Sequence, residues 1–155
     1  MIRIETDDPT LPDVHRLLDE HLADMFATSP AESVHALDHS ALSTDAITFW
    51  TAREDGVLLG CGALKALSTG HAEIKSMRTT AEARGRGVAT LMLKHIVAEA
   101  SERGYARVSL ETGTEEYFAP ARRLYARHGF TECPPFADYT LDPNSVFMEL
   151  DLSPK

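Results

Sequence analysis

The sequence predicts an α/β fold (α+β in arrangement), with a single mixed, mostly antiparallel and twisted sheet and helices on both faces. Segments with strand-like and helical spacing follow one another as strand, helix, loop, three strands, helix, strand, helix and strand. A turn-like pair joins the first two of the three consecutive strands, which predicts a hairpin. A strand, a crossover helix and a further strand then imply a central parallel pair.

The start of the chain predicts one strand and one helix. In "MIRIET", Ile2 and Ile4 alternate with polar residues, as in a short strand. After Pro12, apolar residues recur at spacings of three and four, which predicts a helix with one apolar stripe. The stripe consists of Val14, Leu17, Leu18, Leu22 and Met25. The following segment, "TSPAESVHALD", contains a proline and is typical of a loop, with room for a short helix.

Three consecutive strands are predicted next. Ile47 and Phe49 alternate in "AITFWTARE", and "VLLGCGALKAL" is an apolar run with small residues. The Asp55-Gly56 pair between them favours a hairpin turn because both residue types tolerate positive φ. A turn at Thr69-Gly70 then leads into a third strand, "HAEIKSMRT".

Helices and strands alternate in the second half. A helix after the glycine-rich loop ends at Gly104 and is followed by the strand "ARVSLET". The apolar stripe of this helix is predicted to be Val88, Leu91, Met92, His95 and Ile96. A helix in "APARRLYARHGF" ends at Gly129, and "SVFMELDL" is the last strand. With no repeat or linker to divide it, the chain of residues 1–155 is expected to form one domain.

Composition limits the function classes. The 155 residues are 43% hydrophobic and 25% charged, which is typical of a globular protein with a real core. The net charge of −9 argues against a general nucleic-acid binder and is compatible with a cationic substrate. There is no apolar run of membrane-spanning length, and the acidic start lacks an apolar signal core, so we expect a cytoplasmic protein without membrane association. Its two cysteines, Cys61 and Cys133, are expected to be reduced thiols.

The stretch "RGRGVA", residues 84–89, predicts an anion-binding turn. Glycines at 85 and 87 allow backbone N–H groups to approach a ligand closely, and the following helix offers a positive N-terminus. Arg84 and Arg86 can add charge-assisted contacts. The stretch lacks the Gly-Lys-Ser/Thr ending of a Walker loop and the third glycine of a dinucleotide fingerprint. The alternative is a solvated turn whose arginines face water.

A wider comparison of motifs identifies a family resemblance. Arg84-x-x-Gly87-x-Ala89 resembles the R/Q-x-x-G-x-G/A signature of the GNAT superfamily of N-acetyltransferases. "EIKSMRTTAEARGRGVATLMLKHIVAEA" resembles that family's strand, pyrophosphate loop and helix, and "ARRLYARHGF" resembles its late Leu-Tyr segment. The element order agrees with the GNAT fold over nearly the whole chain. "SPAESVHALD" and "DPNSVFMEL" extend the resemblance to a group of small bacterial members of uncertain substrate.

The resemblance implies acetyl-CoA as the acyl donor. Its pyrophosphate would be held by the loop, that is, by Arg84, Gly85, Arg86, Gly87, Val88 and Ala89. Met77, Arg78 and Thr79 would pair their backbone with the pantetheine arm, and a backbone N–H there would meet the thioester oxygen. Many members carry an asparagine where this chain has Phe118. The hydrogen bond that this asparagine makes to the cofactor is therefore absent here or supplied by another group. Arg122 is a further candidate for the adenosine phosphate.

Acetyl transfer to an amine requires a base for the ammonium and an acid for the departing thiolate. The resemblance implies Tyr125 as the acid, although its helical spacing also suits a core residue. Glu73, opposite in direction to Ile74, is the first candidate for the base, and Glu111 is the second. Alternatively, Glu73 is a solvated strand residue paired with Lys75.

The acceptor is expected to be a small amine or an amino-acid-like molecule. Glu32 and His35, in the segment that often lines the acceptor pocket in the family, are candidate acceptor contacts, together with Glu111. His35 and His39 are four residues apart, but they lack companion ligands, and no metal site is predicted. The rival function is a non-catalytic acyl-CoA-binding sensor or interaction module. Many relatives pair through late strands, so a homodimer is compatible with the resemblance.

Overall fold

The computed structural model describes residues 1–28, 46–137 and 139–152. The helices and strands in this part of the chain are β1 (Arg3–Thr6), α1 (Pro12–Thr28), β2 (Ile47–Glu54), β3 (Val57–Ser68), β4 (His71–Thr79), α2 (Val88–Glu102), β5 (Arg107–Gly113), α3 (Ala119–Arg127), β6 (Thr131–Glu132) and β7 (Ser145–Asp151). Short 3₁₀ turns at Ala81–Ala83 and Glu116–Phe118 precede α2 and α3.

These strands form one sheet in the order β1-β2-β3-β4-β5-β7-β6. Its pairings are antiparallel except that of β4 with β5, which is parallel. The predicted fold class, a mixed and mostly antiparallel sheet with a central parallel pair, is confirmed. Strand β6 was not predicted, because an exposed strand of two residues is too short to show alternation.

The two faces of the sheet are covered by different helices. Helices α2 and α3 pack on one face, where Met92 and Ile96 meet Leu64 and Ile74 of the sheet in the larger core. Helix α1 packs Leu17 and Leu18 on the opposite face, in a smaller cluster with Phe49, Cys61 and Ala63 of β2 and β3. Among the described residues, no helix is both long enough and apolar enough to span a bilayer.

Strand β4 contains a bulge that separates it from β5. Cys61 faces Arg78 and Ala63 faces Lys75, so two steps along β3 correspond to three steps along β4. The extra residue belongs to the segment between Lys75 and Arg78, which contains Ser76. The φ of Ser76 is 57°, in the left-handed region that is unfavourable for residues other than glycine. The pairing of β4 with β5 ends at Ile74, whereas β5 stays paired with β7 as far as Gly113. The sheet therefore opens between β4 and β5.

The buried face of α2 differs from the predicted stripe at one leucine. Leu93 is 0% exposed, whereas Leu91, which was predicted to be buried, is 43% exposed. The buried stripe consists of Val88, Met92, Leu93, Ile96 and Ala100. Leu91 and Leu93 flank Met92 on opposite sides of the helix, and helical spacing alone does not tell which flank faces the sheet.

The two leucines of α2 provide a matched test of the core. We expect Leu93→Ala to lower the free energy of unfolding by about 2–5 kcal/mol, because it removes apolar volume and leaves a cavity. Leu91→Ala should change it by less than about 1 kcal/mol, because that side chain is largely solvated. Urea denaturation of both variants measures the difference. Equal losses in the two variants would show that α2 packs with another face.

Candidate functional site

A cavity of about 760 Å³ lies where β4 and β5 part. This volume is within the usual range for small-molecule sites. Residues of α1, β4, β5, α3 and both 3₁₀ turns contribute to its walls. The predicted site residues that line it are Glu73, Met77, Arg78, Thr79, Arg84, Gly85, Gly87, Val88, Ala89, Glu111 and Tyr125. Two strands, a glycine-rich turn and a helix thus bring residues that are distant in sequence to one cavity.

The start of α2 forms a concave turn of backbone donors. Gly85 and Gly87 have φ of 83° and 79°, and a Cβ added to either would meet nothing within 4 Å. The first intrahelical bond runs from Leu91 N–H to the Gly87 carbonyl at 3.1 Å. The N–H groups of residues 88–90 therefore point out of the helix end, where they and the helix dipole favour an anion.

Two of the predicted cofactor-binding arginines direct their side chains elsewhere. Arg86 Nη2 donates to Glu54 Oε1 at 2.7 Å, which joins the loop to β2. Arg122 Nη1 donates to the carbonyls of Gly113 and Glu115 at 2.5 and 3.1 Å. These contacts support the backbone next to the cavity, and neither arginine is part of its lining. Arg84 lines the cavity as predicted, and Arg127, which was not predicted, lines it as well.

Tyr125 combines core packing with a place at the cavity wall. It is 7% exposed and its ring lies 5.7 Å from that of Phe130. Burial raises the pKa of its hydroxyl to about 12. The hydroxyl therefore keeps its proton at neutral pH, which a proton donor requires. Tyr125 therefore packs in the core and also lines the cavity, so the two alternatives considered from the sequence do not exclude each other.

Glu73 is buried and held by two partners. Its side chain is 3% exposed, and Oε2 accepts hydrogen bonds from Tyr139 Oη at 2.6 Å and from Lys75 Nζ at 3.2 Å. Lys75 also donates to Tyr139 Oη at 2.8 Å, which closes a triangle of side chains. Burial raises the pKa of the Tyr139 hydroxyl, and the negative charge of Glu73 raises it further. The pairing with Lys75 considered from the sequence is present, but it is buried and not solvated.

Glu111 projects from β5 on the same face of the sheet as Glu73. Ser109 faces Glu73 across the parallel pair, and Glu111 lies two residues beyond Ser109, which returns it to that face. Its Oε2 accepts a hydrogen bond from Ser145 Oγ at 2.7 Å. Both candidate bases therefore line one cavity, each with an identified partner.

Arg78 connects three parts of the fold through its side chain. Nη2 donates to Asp24 Oδ2 of α1 at 2.6 Å, and Nη1 donates to Tyr117 Oη at 3.0 Å. Tyr117 Oη in turn donates to the same Asp24 oxygen at 3.2 Å. The hydrogen bond from Arg78 is the main cause of a lowered pKa at Asp24. The Arg78 side chain is only 9% exposed, so this cluster fixes the cavity wall between α1 and β4.

Comparison with known proteins decides the family. Residues 14–130 match the model of the acetyltransferase (GNAT) family. The chain belongs to the GNAT family. It is similar to the N-acetyltransferase YsnE of Bacillus subtilis strain 168, with 54% identity over 147 residues, 95% of this chain and 97% of the relative. It is also similar to the N-acetyltransferase YedL of Escherichia coli K12, with 49% identity over 152 residues, 98% and 96% of the two chains.

A solved GNAT structure shows the same fold. The acetyltransferase from Elizabethkingia anophelis, crystallised with acetyl-CoA, has a TM-score of 0.70 and 15% identity, with 97% of each chain covered. Family membership confirms the predicted enzyme class, an acetyl-CoA-dependent acetyltransferase. The names of the two N-acetyltransferase relatives do not state an acceptor.

The residues present in this GNAT domain fit acetyl-CoA. The open Cβ directions of Gly85 and Gly87 leave room for a diphosphate against the N–H groups of the helix start. Beyond Ile74, the edge of β4 that faces β5 pairs with no strand of the described residues, which suits the amides of a pantetheine arm. The predicted acceptor contacts Glu32 and His35, like His39, lie outside the described residues.

Several polar residues at the site were not predicted. Among them, His21, Asp24, Tyr117 and Tyr139 belong to a helix, a 3₁₀ turn and a loop that carry no motif. His21 and Asp24 lie directly before the stripe residues Leu22 and Met25 of α1. This position becomes informative once the packing of α1 against the sheet is known.

The pairing of Asp24 with Arg78 predicts a pH dependence of stability. A folded-state pKa below the ordinary value of 3.8 means that ionised Asp24 stabilises the fold above that value, and that this contribution is lost as pH falls through the folded pKa. Asp24→Asn should therefore lower the melting temperature at pH 7, and this loss should become smaller as pH falls below 3.8. Asp19→Asn is the control, because Asp19 is 61% exposed. A pH-independent effect of Asp24→Asn would contradict this linkage.

Proposed function

We propose that the chain transfers the acetyl group of acetyl-CoA to an amine of a small or amino-acid-like acceptor, directly and within a ternary complex. The observation that carries this proposal is the cavity between β4 and β5. It unites a helix start with free N–H groups, a buried tyrosine and two carboxylates, Glu73 and Glu111. These are the groups that acyl transfer to an amine needs: an anion site, an acid and a base.

Two parts of the backbone hold the donor in this proposal. Backbone N–H groups within residues 84–89 bind the diphosphate, except that of Arg86, which donates to the Ala83 carbonyl at 3.2 Å. Arg84 adds charge at the cavity wall. Met77, Arg78 and Thr79 present the unpaired edge of β4 to the pantetheine amides. The bound thioester supplies an activated acyl carbon. A backbone N–H of residues 77–79 donates to its carbonyl oxygen as negative charge develops there.

The proposed proton transfers use groups with suitable environments. An alkylammonium has no free electron pair, so a carboxylate must first accept its proton, directly or through water. Glu73 is the first candidate and Glu111 the second; Glu73 has to act from within its contacts with Lys75 and Tyr139. Tyr125, whose pKa is about 12, donates a proton to the departing thiolate.

The environment of the cysteines supports direct transfer. Cys61 lines the cavity, but its Sγ donates to the Ser76 carbonyl at 3.2 Å, and burial raises the pKa of its thiol to about 12. Burial also raises the pKa of Cys133. Both thiols are therefore protonated at neutral pH and are poor nucleophiles. A covalent acetyl-enzyme through cysteine is disfavoured.

The diphosphate site can be tested at Thr90, a cavity residue in the first turn of α2. Thr90→Asp should weaken CoA binding at least about tenfold relative to the isosteric Thr90→Asn, because its carboxylate repels the diphosphate. The same charge should leave the melting temperature equal or higher, because an acidic residue stabilises a helix N-terminus. Calorimetry and thermal melts measure the two effects. Equal CoA affinities of the two variants would place the diphosphate elsewhere.

The reaction can be tested with an amine panel and Tyr125→Phe. We expect acetylated product from at least one amine, and a roughly 100-fold lower kcat in the variant at nearly unchanged KM for acetyl-CoA, because proton donation is lost. Intact-mass spectrometry of the enzyme with acetyl-CoA alone should show unmodified protein. Full activity of Tyr125→Phe would remove its role as acid. CoA binding without any product would favour the non-catalytic acyl-CoA-binding module.

A further inference from the structure

Three buried polar atoms at the cavity have no hydrogen-bond partner among the described residues. They are His21 Nδ1, Ser76 Oγ and Arg78 Nε. All three residues line the cavity. A buried polar group without a partner destabilises a protein, so a ligand that supplies partners binds favourably there. These atoms are not used by the proposed transfer reaction, whose contact with Arg78 is through its backbone.

The donor at Arg78 is fixed in direction. Its Nη1 and Nη2 are already engaged by Tyr117 and Asp24, at 3.0 and 2.6 Å. A planar guanidinium held at two nitrogens cannot turn, so the Nε–H points in a set direction. Ser76 is 7% exposed and sits in the bulge of β4, so the sheet sets the position of its backbone, while its hydroxyl hydrogen can rotate toward a ligand. A ligand therefore meets preorganised groups and loses little affinity to their ordering.

The charges around these atoms favour an anion. Arg78 and Arg84 both act on the Asp24 carboxylate, so two cations face one anion. Burial and, to a smaller extent, the positive charge of Arg78 lower the pKa of His21 to about 4. Its imidazole is therefore neutral at pH 7. A guanidinium N–H can only donate, whereas a serine hydroxyl and a neutral imidazole can each donate one hydrogen bond. An ammonium finds no acceptor at Arg78 Nε, whereas a carboxylate is able to accept a hydrogen bond from each of these three types of group.

We propose that the side chains of His21, Ser76 and Arg78 form a subsite that binds a carboxylate of the acceptor. The acceptor is then an amino acid or another amino carboxylate. This inference rests on the proposed function, because the amine of the same molecule must reach the base. Glu73 and Glu111 line the same cavity and supply the negative charge that suits the amine end. The two ends of the acceptor are thereby recognised by opposite charges.

Matched acceptor pairs test the subsite. Phenylalanine, tryptophan, leucine and lysine are each compared with the amine that remains after decarboxylation. For at least one pair, kcat/KM should favour the carboxylate-bearing acceptor by about 10–100-fold, the equivalent of a charge-assisted hydrogen bond. A second readout needs no turnover. In the presence of CoA, calorimetry should show the N-acetyl amino acid binding at least about tenfold more tightly than its decarboxylated counterpart.

Two variants and a control assign the effect to these side chains. Arg78→Lys keeps a positive charge near Asp24 but lacks the Nε–H, and Ser76→Gly removes the hydroxyl while suiting the φ of 57°. Each should reduce the preference for the carboxylate, measured as the ratio of kcat/KM within an acceptor pair, to within about threefold of unity. Arg3→Gln is the control, because Arg3 is 77% exposed, and should change neither acceptor. If Arg78→Lys fails to fold, Ser76→Gly and the wild-type ratios decide.

The outcomes separate this inference from the proposed function. Turnover of decarboxylated amines that equals or exceeds that of the amino acids would overturn the subsite and leave amine acetylation intact. A carboxylate preference that survives both variants would also overturn it. An absence of any acetylated amine would contradict the proposed function, and the calorimetric comparison of the N-acetylated compounds would still decide whether the carboxylate is bound.

Discussion

The opening between β4 and β5 is the constraint on which the site depends. One extra residue at the bulge beside Ser76 turns β4 away from β5 after Ile74. The left-handed φ of Ser76 is unfavourable by about 1–3 kcal/mol, and the buried sheet around it must hold it in place. Without this break, β4 and β5 would stay paired, and the backbone edge that faces the cavity would be consumed by the sheet itself.

The surrounding polar contacts keep this opening in shape. Arg78, Asp24 and Tyr117 tie the far part of β4 to α1 and to the turn before α3. Arg122 holds the carbonyls at the end of β5, and Arg86 fixes the glycine loop to β2. These polar groups bridge parts of the chain that are not joined by strand pairing. The walls are therefore positioned by side chains, whereas the predicted anion site is positioned by the backbone.

The fold and the glycine turn that begins α2 were predictable because their signals are local. Alternation, helical spacing and the glycines at 85 and 87 each depend on neighbours within a few residues. The contacts of Glu73 were not predictable, because Tyr139 lies 66 positions away in a loop without a motif. The same holds for the link between Asp24 and Arg78, which are 54 positions apart. Whether Leu91 or Leu93 is buried also depends on the sheet against which α2 packs.

The distribution of charge reconciles a net charge of −9 with the proposed binding of an anionic cosubstrate. The donors at the cavity are backbone N–H groups and a few arginines whose positions are set by carboxylates, as Asp24 sets Arg78. At long range a net charge of −9 repels an anionic cosubstrate, although salt screens this repulsion within about 8–10 Å. Recognition must then come from short-range geometry. The glycines that open the loop and the bulge that opens the sheet therefore matter more to binding than the number of basic residues.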